Sequence, residues 1–347
     1  MFIRFVIILS AFSLFVLMPC GCADGPDNAA QKPAPTAPLK QYAGEAPVTQ
    51  LTFNGKENSE AYFSPDNKTI IFQGQEDSDE QLEVYTLNLE TKEKKRLAAT
   101  PGKEVCTYFH PDGTKILFSS TMSMHRAKDD FVYYGTMWPC DHSFEIYTAN
   151  ADGTSIKRLT YNNAYEAETS FSPDGKKILF TSDREGNLEL YVMNIDGTEQ
   201  TRLTNTPDLH EGGAFFSPDG TMIVYRAWSA PATAIQPTRE TKAKTAQIYV
   251  MNANGTGSRQ VTKTECFNWS PYFMQDGKRI VFASNAEGKG NNELYMIDID
   301  GNNLKRLTFF EGFDSYPVVS SDGKKMLFTS TRADDKPQVF IMDLATE

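Results

Sequence analysis

Six acidic or amide residues occupy one recurring place in the sequence, each eight residues before an aspartate of a Pro-Asp-Gly-like turn. Four are carboxylic acids and two are amides: Asn58, Glu104, Glu166, Glu211, Asn268 and Asp314. Like charges brought together repel unless water, a cation or a basic group lies between them. We expect these equivalent positions to lie near the mouth of one central channel, where they could receive a cation or a basic peptide segment. The alternative is that each side chain hydrogen-bonds the backbone of a neighbouring loop.

Histidine and cysteine suggest a second chemistry, a metal site. The candidates are His125, Cys140, His142 and His210, but their spacing matches no zinc signature. The chain contains no G-x-S-x-G motif, no Walker motif and no dinucleotide-binding glycine pattern. We therefore predict no catalytic residues, and no cofactor other than a cation that the acidic positions could hold.

The elements that position these residues come from an internal repeat, seen most clearly in "FSPDGKKILFTSDREGNLELYVMNIDGTEQTRLT" from Phe171 to Thr204. Its turn aspartate recurs six times, at Asp66, Asp112, Asp174, Asp219, Asp276 and Asp322. Short β-branched and aromatic runs bounded by turn residues are typical of strands, and Pro-Asp-Gly and Asp-Gly are hairpin turns. Each unit therefore has four antiparallel strands, a to d. Such units must stack on neighbours to bury both faces, which predicts an all-β, six-bladed β-propeller.

The first strand of the folded part explains how the ring closes. The sixth unit ends with "QVFIMDLATE", which supplies strand c but no strand d. The missing strand is Val48–Phe53, "VTQLTF", which resembles the strand d sequences "IKRLTY" and "LKRLTF". We therefore predict that residues 48–53 pair with the last blade and remove two exposed strand edges.

At the level of these repeats, residues 47–347 resemble the WD40-like (PD40) repeats of TolB-type propellers. The resemblance implies a propeller fold, whereas PD40 propellers serve many roles. TolB itself has an additional α/β domain before its propeller, and here we expect only a tether at that place. Prolyl-oligopeptidase-type relatives would add a hydrolase domain with G-x-S-x-G. Some PD40-like propellers act on uronate sugars through a histidine-rich metal site, which would here recruit His125, His142 and His210.

Two insertions indicate which face of the propeller carries function. The turn aspartates are 46, 62, 45, 57 and 46 residues apart, so blades 2 and 4 are enlarged. Both insertions fall between strands b and c, at Thr121–Phe144 and Ala227–Ala246, on the face that also carries the d–a loops. Long loops on a rigid scaffold commonly carry binding specificity. Four aromatic residues of the first insertion either pack on blade 3 or form a contact surface: Phe131, Tyr133, Tyr134 and Trp138.

The same insertion suggests a disulfide. Cys106 begins strand a of blade 2, and Cys140 lies in the b–c insertion of that blade on the same face. A Cys106–Cys140 bond would tie the insertion to the scaffold, and an envelope location permits it. We expect Cys266, which lies three blades away, to be a buried thiol.

The N-terminal segment predicts secretion. Arg4 precedes a 14-residue apolar run, Phe5–Met18, which is too short to span a bilayer and is typical of a signal peptide. The "PCGC" that follows resembles a lipoprotein signal with Cys22, or else Cys20, as the acylated residue; the alternative is ordinary cleavage. Residues 1–22 are therefore expected to be a signal, residues 23–46 a flexible Pro/Ala-rich tether, and residues 47–347 the propeller.

Charge narrows the class of partner. Residues 1–22 carry +1 and residues 23–46 carry −1, so residues 47–347 hold the full net charge of −11. Nucleic acid and anionic lipid are poor partners for such a surface. We expect a non-catalytic, membrane-anchored lipoprotein of the bacterial cell envelope, periplasmic or surface-exposed, that contacts membrane only through its anchor. Its propeller would bind an envelope protein or peptide on the d–a/b–c face. The alternative is a periplasmic, metal-dependent or carbohydrate-active propeller similar to uronate-oligosaccharide lyases.

Overall fold

A computed structural model describes residues 39–97, 100–123, 131–135, 138–230, 243–288 and 290–344. These residues form six four-stranded antiparallel sheets arranged as blades around a central channel, together with one two-stranded ribbon. Within the described ranges there is no helix, and hence none that is long and apolar enough to cross a membrane. The predicted signal, both candidate acylation sites, Cys20 and Cys22, and His125 lie outside the described residues.

Blades 1 to 3 follow the predicted order of strands from the channel outward. Blade 1 consists of β2 (Glu57–Phe63), β3 (Thr69–Gln75), β4 (Glu83–Asn88) and β5 (Lys94–Arg96). Blade 2 consists of β6 (Glu104–Phe109), β7 (Lys115–Ser120), β10 (Glu145–Asn150) and β11 (Lys157–Arg158), with the ribbon β8 (Phe131–Val132) and β9 (Cys140–Asp141) in its insertion. Blade 3 consists of β12 (Glu166–Phe171), β13 (Lys177–Ser182), β14 (Glu189–Asn194) and β15 (Thr201–Arg202).

Blades 4 to 6 repeat this plan. Blade 4 consists of β16 (His210–Phe216), β17 (Met222–Trp228), β18 (Gln247–Asn252) and β19 (Arg259–Gln260). Blade 5 consists of β20 (Asn268–Phe273), β21 (Arg279–Ser284), β22 (Glu293–Asp298) and β23 (Lys305–Arg306). Blade 6 consists of β24 (Asp314–Val319), β25 (Lys325–Ser330), β26 (Gln338–Asp343) and, from the start of the fold, β1 (Val48–Gln50).

The pairing of β1 with β26 confirms the predicted closure. Val48 lies opposite Met342 and Gln50 lies opposite Phe340, and Leu51 N donates to Val339 O at 2.8 Å. Leu51 is buried in the core shared with blade 1. The first strand of the fold thus supplies the fourth strand of blade 6 and covers the edge of β26 that would otherwise be exposed.

Residues 39–46, expected to belong to a free tether, pack on the propeller instead. Glu45 accepts hydrogen bonds from Arg332 of the blade 6 b–c loop at 3.0 and 3.2 Å, and both side chains are buried. Tyr42 contacts Phe310 edge-on, with ring centroids 6.3 Å apart. A buried ion pair and an aromatic contact hold this end of the segment, which its Pro/Ala-rich composition did not predict.

Every innermost strand contains a β-bulge at the same place. The pairing register shifts by one residue in β2, β6, β12, β16, β20 and β24. One residue of each bulge has a positive φ between 48° and 58°: Glu60, Cys106, Glu168, Gly213, Ser270 and Tyr316. Residues other than glycine rarely adopt this backbone conformation. A bulge also changes the direction in which the side chains of the strand point. The six bulges therefore decide which residues line the channel.

The core lies between the blades and continues into the middle of the channel. Tyr62, Tyr108, Phe215 and Tyr272 pack against one another there, with ring centroids 4.9 to 6.2 Å apart. Tyr108 and Tyr272 join their hydroxyls at 3.1 Å. This aromatic plug separates a cavity on the d–a/b–c face from a cavity on the turn face, whose rim holds the turn prolines Pro65, Pro111, Pro173 and Pro218.

Candidate functional site

The six predicted acidic and amide positions lie between the blades rather than around the channel mouth. All are between 0 and 2% exposed: Asn58, Glu104, Glu166, Glu211, Asn268 and Asp314. Glu104 accepts from Val84 N of blade 1 at 3.1 Å, and Asn58 Nδ2 donates to Gln338 Oε1 of blade 6 at 3.0 Å. This location corrects the expected one. It agrees with the alternative interpretation, in which each side chain hydrogen-bonds the neighbouring loop or blade.

Each of these residues belongs to a joint that also contains the first residue of strand c and a strand d residue of the preceding blade, and the three residue types change together from joint to joint. Four blade joints contain two carboxyl groups and a strand d arginine: Glu83/Arg96/Glu104, Glu145/Arg158/Glu166, Glu189/Arg202/Glu211 and Glu293/Arg306/Asp314. The other two joints contain three amides: Gln247/Gln260/Asn268 and Gln338/Gln50/Asn58. The strand d arginine lies 2.6 to 2.8 Å from the strand c glutamate in all four acidic joints. In two of these joints a second arginine pairs with the strand a carboxyl group, Arg184 with Glu166 at 2.6 Å and Arg332 with Asp314 at 2.7 Å. The mixture of acids and amides noticed in the sequence thus belongs to interblade packing.

Two carboxyl groups that share one arginine away from water cannot both ionise easily. Burial raises the pKa of Glu104 to about 7 and that of Glu211 to about 9, and Glu189 adds to the second effect. Burial also raises the pKa of Glu293 to about 7, with Asp314 contributing. Glu211 Oε2 and Glu189 Oε2 are buried without a hydrogen-bond partner among the described residues, which fits a proton held between these two side chains.

The residues that do face the channel are those of the six bulges, and they line one cavity. Glu60, Cys106, Glu168, Gly213, Ser270 and Tyr316 all contribute to a cavity of about 260 Å³ on the d–a/b–c face. Its outer walls are largely apolar and come from loops and insertions, including Leu82, Trp138, Phe144 and Tyr165. A concave, mainly apolar site with a few polar groups is the usual form of a ligand-binding site.

One side of the cavity contains a buried ion pair that breaks the sixfold repeat. Arg226 is on strand b of blade 4, where the other blades have glutamine, serine, threonine or alanine, and it forms a short ion pair with Glu168 of blade 3. Glu168 also accepts from Gly213 N at 2.7 Å and from Thr181 Oγ1 at 2.9 Å. Gly213 has no side chain to obstruct the guanidinium, which passes over its Cα. The pair is well supplied with hydrogen bonds, as a buried charge requires.

The insertion of blade 2 crosses the channel and covers this ion pair. The Trp138 ring lies 5.2 Å from the Arg226 guanidinium carbon and 6.1 Å from the ring of Trp269 in blade 5. Tyr134 O accepts from Trp228 Nε1 at 2.5 Å, and Gly135 O accepts from Ala243 N of the second insertion at 3.1 Å. We call the described parts of the two insertions (residues 121–123, 131–135, 138–144, 227–230 and 243–246) the lid. The lid forms one connected layer over the side of the cavity.

The four aromatic residues proposed for partner contact have different environments. Tyr133 and Tyr134 are buried, and Tyr134 OH donates to Asp183 Oδ2 of blade 3 at 3.0 Å. Phe131 is partly buried and meets Tyr133 edge-on, while Trp138 faces the cavity. Tyr134 therefore packs on blade 3, whereas Trp138 lines the cavity and its contact with a partner stays a prediction.

The cysteines and histidines are distributed among separate contacts. Cys106 and Cys140 are buried in one apolar cluster as thiols, and their pairing stays a prediction. Cys266 is only partly buried, in contrast to the expectation. His142 Nε2 lies 2.9 Å from Asp183 Oδ2, whereas His210 Nε2 lies 2.6 Å from Ala230 O. Within the described ranges, no three or more His, Cys, Asp or Glu side chains are grouped as a metal site requires.

Two further groups of the cavity were missed in the sequence. Glu60 is held by Tyr62 OH at 3.3 Å, its only side-chain hydrogen bond to a described residue. Burial, followed by the nearby Glu168 carboxylate, raises the pKa of Glu60 to about 8. Ser270 is 8% exposed, and its Oγ has no hydrogen-bond partner among the described residues. A signal existed for both, since they lie six residues before the turn aspartates, two residues after the set that was chosen.

The fold and the cavity define a six-bladed β-propeller whose channel ends, on one face, in a lidded binding site. The chain belongs to the PD40 family, the TolB beta propeller domain, whose model matches residues 138–242 and 227–347.

Curated relatives agree with this assignment. The chain is 24% identical over 201 residues to "Uncharacterized peptidase YuxL" of Bacillus subtilis, covering 51% of this chain and 29% of that protein. It is 25% identical over 199 residues to "Tol-Pal system protein TolB" of Wolinella succinogenes, covering 57% and 41% respectively. The chain thus spans less than half the length of the curated relatives it matches.

Solved structures share the fold. A putative TolB from Agrobacterium tumefaciens superposes with a TM-score of 0.61 at 18% identity, over 86% of this chain and 97% of that one. An oligogalacturonate lyase in complex with manganese gives a TM-score of 0.54 at 20% identity, over 86% and 80%. At these identities the likeness concerns the fold alone.

Proposed function

We propose that this chain is a cell-envelope lipoprotein whose propeller binds a protein or peptide partner on the lid-bearing face and does not transform it. The lipid anchor would be carried by Cys22 or Cys20, and the protein would be periplasmic or surface-exposed. The curated relative named Tol-Pal system protein TolB supports an envelope role. The net charge of −11 favours a partner with basic groups.

The observation that carries the proposal is the lid. Trp138 reaches from blade 2 across to Arg226 of blade 4 and Trp269 of blade 5, so one insertion makes the d–a/b–c face asymmetric. Indole and guanidinium groups at the edge of a desolvated cavity are typical of residues that contribute strongly to binding. Tyr161, in the d–a loop of blade 3, adds an aromatic ring that is 73% exposed on the same face.

The proposal is tested by capture from solubilised envelope with the full chain as tagged bait. Trp138→Ala and Tyr161→Ala alter the lid-bearing face, and Leu304→Ala is the matched control because this exposed apolar residue lies in a c–d turn on the opposite face. We expect a partner that binds the unchanged chain and the control but is reduced at least about fivefold by either of the first two changes. Equal capture by all variants of equal thermal stability would overturn the proposal.

A second measurement addresses the alternative function. The purified chain is assayed for bound divalent metal and for turnover of oligogalacturonides. Stoichiometric metal lost on His142→Ala, together with turnover, would replace the binding role by the carbohydrate-active one.

A further inference from the structure

The cavity under the lid contains a carboxyl group, that of Glu60, which forms no ion pair with a described residue, although Arg226 and Lys103 also line the wall. Glu168 is paired with Arg226 and accepts two more hydrogen bonds, and Glu57 accepts from Ser59 Oγ at 2.6 Å. Among the described side chains, Glu60 accepts a hydrogen bond only from the Tyr62 hydroxyl, at 3.3 Å. A carboxylate in such a place is costly unless a positive group joins it.

A second residue of the cavity wall carries a buried hydroxyl group without a hydrogen-bond partner among the described residues. Ser270 is the blade 5 counterpart of Glu60, and both residues are held by their bulges so that they line the cavity. Its Oγ is buried and has no partner among the described residues. Buried polar groups are seldom left without partners, so an unpartnered hydroxyl in a cavity wall points to a group that arrives from outside.

We propose that this cavity binds a primary ammonium group, with the Glu60 carboxylate as counter-charge and Ser270 Oγ and Tyr62 OH as further oxygen acceptors. An ammonium has three donors and no acceptor, which matches one carboxylate and two hydroxyls. Aromatic residues of the wall, Trp138 and Tyr316, suit a cation as well. A divalent cation such as Ca²⁺ or Mg²⁺ would need more oxygen ligands than the Glu60 carboxylate and two hydroxyl groups provide.

This inference rests on the proposed function and specifies what the cavity would recognise: a lysine side chain or the free N-terminus of a partner. Both sources share the ammonium chemistry. The cavity, about 260 Å³, has room for such a group together with several waters, each of which takes about 30 Å³ in the liquid.

The experiment uses three small probes with the full chain and follows binding by ligand-observed NMR. Nα-acetyl-lysine amide offers the side-chain ammonium, glycinamide offers the α-ammonium, and Nα,Nε-diacetyl-lysine amide offers neither. We expect one or both charged probes to bind and the diacetylated probe to bind at least about tenfold more weakly. The charged probe that binds more tightly identifies the source.

Substitutions link the binding to the site. Glu60→Gln should weaken the charged probe about tenfold or more, and Ser270→Ala should weaken it severalfold. Glu265→Gln is the matched control, because it removes a carboxylate from an exposed d–a loop residue of the same face and should change nothing. Thermal unfolding of each variant shows that loss of binding is not loss of fold.

The outcomes decide between the proposals. Equal binding of the charged and diacetylated probes, no binding of any amine, or unchanged affinity in a folded Glu60→Gln variant would overturn the ammonium site. If partner capture still depends on Trp138 and Tyr161 in that event, the proposed function stands without it. Amine binding that depends on Glu60 supports the site even if no partner is captured.

Discussion

Arg226 reaches the channel only because residue 213 has no side chain. A β-carbon added at Gly213 would collide with the Arg226 guanidinium, and φ at this residue is +58°. The same bulge position in the other blades holds Glu60, Cys106, Glu168, Ser270 or Tyr316, so the backbone conformation alone does not require glycine there. The glycine of blade 4 and the arginine of its second strand therefore form one structural unit, on which Glu168 and Trp138 depend.

Gly213→Ala should lower the free energy of unfolding by about 2–4 kcal/mol, because it adds a steric conflict to an unfavourable backbone conformation. Gly277→Ala is the control, since Gly277 has a similar φ of +64° and open space around its Cα. That control should cost only about 1 kcal/mol. Urea unfolding of both variants measures the difference, and equal losses would show that Arg226 does not require the glycine.

Arg226→Met should lower the free energy of unfolding by about 3–5 kcal/mol, because it leaves Glu168 buried without its cation. Adding Glu168→Gln should recover a substantial part of that loss, since the remaining neutral side chain can still accept from Gly213 N. A double-mutant cycle measured by denaturant unfolding tests this. Strictly additive losses would mean that the two charges are not coupled.

Glu211→Gln should flatten the dependence of stability on pH. Its folded-state pKa of about 9 lies above the ordinary value of 4.5, so the folded protein keeps a proton that the unfolded chain releases. Stability contributed by this group is complete below about pH 4.5 and is lost as the pH rises towards 9. The variant should therefore gain relative to the unchanged chain by up to about 1.4 kcal/mol per pH unit in this window.

The amide joint of blade 5 offers the reverse change. Asn268 Nδ2 donates to Thr264 Oγ1 at 2.8 Å and to Gln247 Oε1 at 3.2 Å, which an ionised aspartate cannot do. Asn268→Asp should therefore destabilise the protein more at pH 8 than at pH 5. Thermal unfolding from pH 5 to pH 8 measures the stability of Asn268→Asp and of Glu211→Gln beside the unchanged chain.

Parallel pH profiles for the unchanged chain and Glu211→Gln would contradict the assignment of a protonated carboxyl pair at the Glu189/Arg202/Glu211 joint.

The amide joint that closes the ring, which contains Gln50 and Gln338, should accept the arginine–glutamate pair of the acidic joints. Gln50→Arg alone places an uncompensated charge beside Gln338 and should cost about 2–3 kcal/mol. Adding Gln338→Glu rebuilds the glutamate–arginine pair found in four other joints and should recover most of the loss. Unfolding free energies of the two single variants and the double variant decide. A double variant no more stable than Gln50→Arg would refute the interpretation of the joints.

Binding of Nα-acetyl-lysine amide should tighten as the pH rises from 6 to about 8. The empty site holds Glu60 with a pKa of about 8, so at lower pH its proton must leave before the ammonium can pair with it. Glu168, Arg226 and Tyr62 face this carboxyl from blades 3, 4 and 1, with Glu57 also in blade 1 and Lys103 and Cys106 in the wall. Titration calorimetry in buffers of different ionisation enthalpy measures the released proton. Affinity independent of pH would argue against Glu60 as counter-charge.

The repeat pattern determined much of the architecture. Turn residues at fixed offsets and short β-branched runs specify four strands per unit. The missing strand of the last unit predicts Val48–Phe53 as its partner, and within this segment Val48–Gln50 forms the strand. The same spacing of turns and strands predicts that both insertions lie in b–c loops. These signals are local in the sequence. They predict the fold correctly because every blade contains the same hydrogen-bonded sheet.

The tertiary structure decided which side chains meet. Asn58 and Tyr62 are four residues apart and would share a face in a regular strand, but the bulge between Ser59 and Tyr62 inserts an extra residue and turns them to opposite faces. Asn58 therefore meets Gln338 of blade 6, while Tyr62 meets Tyr108 of blade 2. Bulges at equivalent places put Glu60 and Ser270 on the cavity wall. The path of Trp138 across the channel could not be predicted from a local pattern, because it depends on contacts with blades 4 and 5 that are distant in the chain. The passage of Arg226 over Gly213 could not be predicted either, because it depends on the bulge of β16.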